Sequence, residues 1–137
     1  MILSLDMGSE VPIYVQLRNQ IVTGIGKGEL AVGERLPTVR QLAQDAGVNV
    51  MTVNKTYQLL KLEGFIEIDR RKGAIVCPIR ETQDCFREKL ESELELLSAE
   101  ASIKGMSEDE FLKVCMKMFQ RMHPTMMEEF RIRLKSY

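Results

Sequence analysis

The spacing of apolar residues divides the chain into a series of amphipathic segments. Between Ile13 and Ile25 an apolar side chain recurs every four positions. Pro12 stands just before this run, where its missing N–H costs a helix nothing. The spacing predicts a first helix of about four turns, ended by a glycine-rich stretch. We assign this helix to the core and expect no chemistry from it.

The middle of the chain predicts two short helices joined by a tight turn. Thr38 can cap the first helix, with Gln41 three positions later as in a capping box. Gly47 allows the turn, and Asn49 can cap a second helix over 49–63. The apolar side chains of that second helix share one face, and polar residues gather at its N-terminal end. This pattern is typical of a helix-turn-helix whose second helix enters a DNA groove.

A basic hairpin is predicted directly after the second helix. Residues 65–78 hold two β-prone runs on either side of a polar turn. Arg70, Arg71 and Lys72 stand consecutively in that turn, where their charges repel one another. A solvated turn needs no such cluster, so we interpret the three cations as contacts to phosphate groups. A helix, a helix-turn-helix and a basic hairpin in this order predict a winged helix.

The last part of the chain predicts only helices. A long helix over 79–104 carries apolar residues at 4-4-3-4 spacing, close to a heptad seam. Ser107 and Glu110 form a second capping box, and His123 with Pro124 separates that helix from a last one beginning near Met126. So small a unit is hard to stabilise alone, so we expect it to pair with a second copy. The residues assigned to this dimerisation surface are Phe86, Leu90, Leu94, Leu97, Phe111, Met118 and Phe119. An adaptable ligand surface is the alternative interpretation of the methionines.

The predicted fold is therefore mainly α with a small β-hairpin. A winged helix-turn-helix domain over 1–79 precedes a short all-helical dimerisation domain over 80–137. With 45% hydrophobic and 28% charged residues, the composition is that of a globular protein. The N-terminus is too acidic for a signal peptide, and no apolar run approaches the ~20 residues of a membrane span. We expect a cytoplasmic protein without membrane contact.

The net charge of −1 conceals an asymmetry between the two halves. Residues 1–80 contain ten Lys and Arg against eight Asp and Glu, whereas residues 81–137 contain nine against twelve. The basic half is the one with the predicted winged helix. The distribution is compatible with a nucleic-acid partner, because the position of surface charges matters more than their sum.

The residues that could support other chemistry are few. Cys77, Cys85 and Cys115 are widely spaced in apolar surroundings, and together with His123 they lack the spacing of metal ligands. We therefore predict no metal site and no cofactor. The chain also lacks a glycine-rich phosphate loop, a nucleophile elbow and clustered carboxylates, so we predict that it is not an enzyme.

The motif GxRLPTVRQLAxxxGVNxxTVNKxYxxLxxEGxI, followed by the basic turn, resembles the DNA-binding domain of the GntR family of bacterial transcription regulators. The resemblance covers about residues 10–78. Asn49, Lys55 and Tyr57 are similar to the small YtrA-type branch, which has a short helical dimerisation domain. Many family members carry arginine at the positions of Val50 and Asn54, so the usual operator of the family is not implied.

The resemblance implies contacts to operator DNA from six positions, and charge adds three more in the hairpin turn. The positions implied by the resemblance are Arg35, Arg40, Asn49, Thr52, Lys55 and Gly73. Thr38, Met51 and Asn54 complete the candidate DNA interface. Its twelve residues are Arg35, Thr38, Arg40, Asn49, Met51, Thr52, Asn54, Lys55, Arg70, Arg71, Lys72 and Gly73. We expect a homodimeric repressor that binds double-stranded operator DNA, and the sequence leaves open whether a small-molecule effector controls it. The alternative is a winged helix used only for protein–protein contact, for which Met51 is the one suitable residue.

Overall fold

A computed structural model of the protein describes residues 3–77 and 83–128. Its elements, in chain order, are helices α1 (Ile13–Gly26), α2 (Val39–Ala46) and α3 (Val50–Leu62), strands β1 (Ile66–Asp69) and β2 (Gly73–Val76), and helices α4 (Gln83–Ile103) and α5 (Glu108–Gln120). The predicted mainly α fold with a small hairpin is confirmed. None of the helices in the described ranges is long and apolar enough to cross a membrane.

The described chain divides into two compact units that differ from the predicted domains in one respect. The first unit contains 3–77 together with 123–128, and the second contains 83–122. Residues 123–128 therefore belong to the first unit and not to the predicted helical domain over 80–137. The prediction that Met126 lies in a helix is wrong, because Met126 forms a parallel bridge with Val32. The remainder of the predicted last helix lies outside the described residues.

The first unit is built around α3. Helices α1 and α2 both pack on α3, which also contacts β1. The side chains of Leu17 and Ile21 from α1 and of Leu60 from α3 are completely buried, as the four-residue spacing predicts. At the far end of α3, two guanidinium nitrogens of Arg18, Nε and Nη2, donate to the Glu63 carboxylate over 2.9 and 2.8 Å. This two-point ion pair fixes the direction of α1 relative to α3.

The turn between α2 and α3 follows the predicted chemistry with one exception. The Thr38 hydroxyl accepts a hydrogen bond from the Gln41 N–H over 3.1 Å, and Gly47 ends α2 in the left-handed region at φ 69°. The side chain of Gln41 donates instead to Asp45 Oδ1 over 2.8 Å. Only half of the capping box predicted at Thr38 is therefore formed, because Gln41 binds forward along the helix.

The hairpin is extended by a third segment of chain, 32–36. Its backbone pairs antiparallel with β2, in a bridge between Arg35 and Ile75. The Leu36 N–H donates to the Ala74 carbonyl over 2.8 Å, and the Val76 N–H donates to the Glu34 carbonyl over 2.9 Å. An isolated hairpin is marginally stable in water, so this third segment helps to hold the two strands in the unit.

Residues 123–127, which we name the C-terminal strap, pack within the first unit against residues 26–32. The Val32 N–H donates to the Thr125 carbonyl, and the Met127 N–H donates to the Val32 carbonyl, each over 2.9 Å. Met126 packs against the core. The strap thus adds another extended segment beside 32–36, and segments about 90 residues apart in the chain meet in one unit.

Replacing Gly28 by alanine is expected to destabilise the first unit more than replacing Gly47. Both glycines have positive φ, 81° and 69°, which costs an alanine about 1–2 kcal/mol. A Cβ at Gly28 would also lie 2.7 Å from the His123 carbonyl oxygen of the strap, whereas one at Gly47 would meet nothing within 4 Å. Overpacking of this kind adds about 1–3 kcal/mol. Urea unfolding of both variants measures the difference, and equal losses would show that the strap does not occupy this position.

The second unit has no interior of its own. The hydroxyl of Ser107 accepts from the Glu110 N–H over 3.2 Å and begins α5, as predicted. Among the described side chains of 85–122, none is buried. Two contacting helices that leave their apolar side chains in water gain little from burial, and most helix stability in proteins comes from packing an apolar face. These side chains are therefore open to contact with a further surface.

Candidate nucleic-acid interface

The start of α3 is fixed by two of the predicted DNA-contacting residues. Asn49 Oδ1 accepts the Thr52 N–H over 2.8 Å and the Thr52 hydroxyl over 3.0 Å. An asparagine at this position satisfies one of the N–H groups that a helix leaves unpaired at its first turn. The Asn49 oxygen and the Thr52 hydroxyl hydrogen are therefore used at the helix start, which leaves the Asn49 amide NH₂ and the lone pairs of the Thr52 hydroxyl for a ligand.

The outward face of α3 carries the other predicted residues. Met51, Asn54 and Lys55 are exposed, Met51 with 81% of its surface. The Lys55 ammonium lies 4.1 Å from the centroid of the Tyr14 ring, in a cation–π contact that ties it to α1. Gln58 is also exposed and lies one turn after Asn54. Gln58 is not among the predicted DNA-contacting residues, although its spacing from Asn54 places it on the same face.

The segment with Arg35, Thr38 and Arg40 is held between β2 and α3. Arg35 pairs through its backbone with β2, and the Tyr57 hydroxyl donates to the Pro37 carbonyl over 2.6 Å. Burial raises the pKa of Tyr57, so the phenol remains a protonated donor at physiological pH. Arg35, Thr38 and Arg40 are exposed. Within the described ranges, neither arginine forms an ion pair, so both cations are available to an anionic partner.

The hairpin turn presents its three cations to solvent. Arg70, Arg71 and Lys72 are all exposed, and Gly73 pairs with Asp69 where β1 ends and β2 begins. Asp69 Oδ1 accepts the Arg71 N–H over 2.7 Å and the Lys72 N–H over 3.4 Å. These backbone hydrogen bonds lower the pKa of Asp69 below its usual range, and the one from Arg71 has the larger effect. The carboxylate thus shapes the turn while the side-chain cations remain outside it.

The structure therefore brings the predicted DNA-contacting residues into one unit. The 35–40 segment is joined to the hairpin by backbone pairing and to α3 by the Tyr57 hydrogen bond. Both groups of unpaired cations thus belong to elements that are fixed to α3. Chemically, this arrangement can bind a polyanion with its cations and present amide and apolar groups between them.

Replacing Asp69 by asparagine is expected to raise the affinity for non-specific duplex DNA by about two- to fivefold. Asparagine keeps the oxygen that accepts the two backbone N–H groups but removes a negative charge beside three cations. Because the folded pKa of Asp69 is lowered, the carboxylate is ionised at neutral pH, and its hold on the turn is lost only as the pH falls through that lowered value. The measurement is a binding titration at neutral pH and low salt.

Asp69→Ala is the matched control, because it removes the same charge together with the hydrogen-bond acceptor. We expect it to gain less affinity than Asp69→Asn, since the turn loses its support. An Asp69→Asn variant that binds DNA no better than the wild type would contradict the placement of the hairpin turn near phosphates.

The residues predicted for dimerisation lie on the second unit, apart from the candidate DNA interface in the chain. Phe86, Leu90, Leu94 and Leu97 follow one side of α4 and are all exposed. On α5, Met118 and Phe119 are exposed and Phe111 is half-buried. All seven side chains thus keep much of their apolar surface uncovered in the single chain.

Comparison with known proteins places this architecture in a family. Residues 13–76 match the bacterial regulatory proteins of the gntR family. The uncharacterized HTH-type transcriptional regulator YhcF of Bacillus subtilis is 32% identical over 106 residues, which cover 77% of this chain and 88% of YhcF. The HTH-type transcriptional repressor YtrA of Bacillus subtilis is 38% identical over 74 residues, or 54% of this chain and 57% of YtrA.

Solved structures agree with these sequence matches. YtrA from Sulfolobus acidocaldarius, a GntR-family transcription factor, has a TM-score of 0.63 and 37% identity, covering 72% of this chain and 99% of that one. A GntR family transcriptional regulator from Listeria monocytogenes has a TM-score of 0.64 and 25% identity, covering 82% and 98%. The match thus extends beyond the winged helix into the helical unit. The chain belongs to the GntR family of bacterial regulatory proteins and has YtrA-type regulators among its relatives.

Proposed function

We propose that this protein is a sequence-specific DNA-binding transcriptional regulator that acts as a homodimer and represses its target genes. The observation that carries the proposal is the set of exposed cations on both sides of α3 in the chain, which form no ion pair with the residues that the structure describes. Arg35 and Arg40 precede the helix, and Arg70, Arg71 and Lys72 follow it. In the proposed complex α3 enters the major groove, and the cations contact the phosphates on either side.

Dimerisation is proposed from the second unit. Its helices carry a row of exposed apolar side chains and no buried residue among the described side chains of 85–122. A second copy of the same unit covers this row, since identical surfaces pair about a two-fold axis. Two α3 helices then bind half-sites about one helical turn apart. Repression is the activity named for the relative YtrA of Bacillus subtilis, and we extend it to this chain.

The proposal is tested by fluorescence anisotropy with DNA from upstream of the protein's own gene. Excess non-specific competitor is present, and the titration is repeated at several salt concentrations. We expect saturable binding that survives competitor and weakens steeply with salt, because phosphate contacts release counterions. Absence of binding to any duplex at low salt would overturn the proposal.

A protein-interaction module is the second candidate, favoured by the exposure of Met51 at the centre of the outward face of α3. A protein partner would use the apolar side chain and have no need of the five cations. Failure to bind any DNA in the titration above, together with retention of a protein partner, would favour this candidate.

A further inference from the structure

We propose that α3 reads A·T base pairs, with Met51 against a thymine methyl group and Asn54 on an adjacent adenine. This inference rests on the proposed function and specifies the ligand of the same site. It concerns only the base pairs that face α3, because Arg35 and Arg40 lie outside that helix. The inference rests on the side chains of the outward face of α3 that are free to meet a base edge.

Three polar residues near the start of α3, Asn49, Thr52 and Lys55, are already engaged by other groups of the protein. Asn49 Oδ1 is occupied by the N–H and the hydroxyl of Thr52, so it cannot accept from an adenine amino group without giving up the helix cap. The Lys55 ammonium lies over the Tyr14 ring, so reaching a base edge would mean giving up that contact. Two-point reading of adenine needs a free donor and a free acceptor on one side chain, which leaves these residues with supporting roles in such reading.

Three exposed residues of α3 remain free to meet a base edge. Met51 is 81% exposed, and Asn54 and Gln58 are exposed with no hydrogen bond to their amides within the described ranges. All three lie opposite the buried face of α3, which holds Val53 and Leu60. Between 51 and 58 the free groups of α3 are therefore the apolar side chain of Met51 and two primary amides, and no guanidinium is among them.

Primary amides and apolar side chains each match the major-groove edge of a particular base. In the major groove a primary amide pairs in two-point fashion with the amino group and N7 of adenine, and apolar side chains contact the methyl group of thymine. Guanine presents only acceptors there and is read by arginine or lysine. Because the outward face of α3 offers amides and a thioether, it favours A·T over G·C. Gln58, one turn further along, supplies the same adenine-reading chemistry as Asn54.

The test is a selection of duplexes from a random library with the full-length protein, sequenced for the wild type and for Asn54→Arg. For the wild type we expect A·T pairs at adjacent positions in each half-site. Asn54→Arg is expected to change one of them to guanine, because arginine pairs with O6 and N7. Asn19→Arg, the same exchange at an exposed position of α1, is the control and is expected to leave the selected sequence unchanged.

A second measurement uses the selected duplex with single atoms changed. Uracil in place of the contacted thymine removes only the methyl group and is expected to weaken binding by the wild type about threefold. The same exchange is expected to have no effect on Met51→Ala. The base analogue 7-deazaadenine opposite Asn54 is expected to weaken wild-type binding about tenfold.

The outcomes separate this inference from the proposed function. Selection of a specific half-site with G·C pairs that are unaffected by Asn54→Arg would overturn the inference and leave the regulator intact. Full affinity for the uracil and 7-deazaadenine duplexes would overturn it equally. A library without any enriched sequence would remove the proposed function, and the inference with it.

Discussion

Replacing Arg70, Arg71 and Lys72 together by glutamine is expected to flatten the salt dependence of DNA binding. Each cation that contacts a phosphate releases about 0.9 counterion from duplex DNA, so the slope of log K against log salt is expected to fall by up to about 2.7. All three side chains are exposed in the hairpin turn, and the adjacent carboxylate of Asp69 is engaged by backbone N–H groups. Anisotropy titrations at several salt concentrations measure the slope.

The control for this variant removes equal charge from elsewhere. Arg87, Lys89 and Lys104 are exposed on or next to α4, and replacing them by glutamine changes the net charge of the chain by the same amount. We expect this control to keep the wild-type slope, because only charges at the interface displace counterions. Equal slopes for the hairpin variant and the wild type would show that the turn does not contact phosphates.

Replacing Leu94 by glutamate is expected to give a monomer whose affinity for the operator is at least about 100-fold lower. Leu94 lies at the centre of the exposed apolar row on α4, and a buried, unpaired carboxylate there opposes pairing. When two linked modules bind neighbouring sites, overall affinity exceeds that of one module by about 10²–10⁴-fold. Analytical ultracentrifugation measures the assembly, and anisotropy with two-half-site DNA measures the affinity.

Ala99→Glu is the matched control for the dimer prediction. Ala99 is exposed on the far side of α4 from Leu94, so the same carboxylate is introduced away from the row. We expect this variant to remain dimeric with unchanged operator affinity. A dimeric Leu94→Glu variant, or a monomeric wild type at micromolar concentration, would contradict the proposed dimerisation surface.

Local signals in the sequence account for much of the fold. The caps Thr38, Asn49 and Ser107 each accept the N–H three residues on, as predicted. The four-residue apolar spacing of α1 correctly identifies its buried side. Both signals are local, because helix geometry fixes which neighbours meet. The outward positions of α3 follow from the same periodicity, which is why most of the candidate site could be named beforehand.

Contacts between distant segments could not be predicted in this way. The strap binds Val32 through backbone hydrogen bonds, and backbone groups are the same in every residue, so Thr125 and Met127 carry no sequence signal of that partner. Met126 was instead assigned to a helix. The contact of Lys55 with Tyr14 is similarly invisible, since it depends on how α1 crosses α3. These are the points at which tertiary packing decides between locally acceptable alternatives.

The specificity ratio tests the central claim most directly. It is the dissociation constant for a non-specific duplex divided by that for the selected operator, both measured with the full-length protein at one salt concentration near physiological. A dimer that reads base edges with α3 is expected to give a ratio of at least about 10³. A ratio near one would mean that the cations bind DNA without any reading by α3, and would contradict the account of this protein as a sequence-specific regulator.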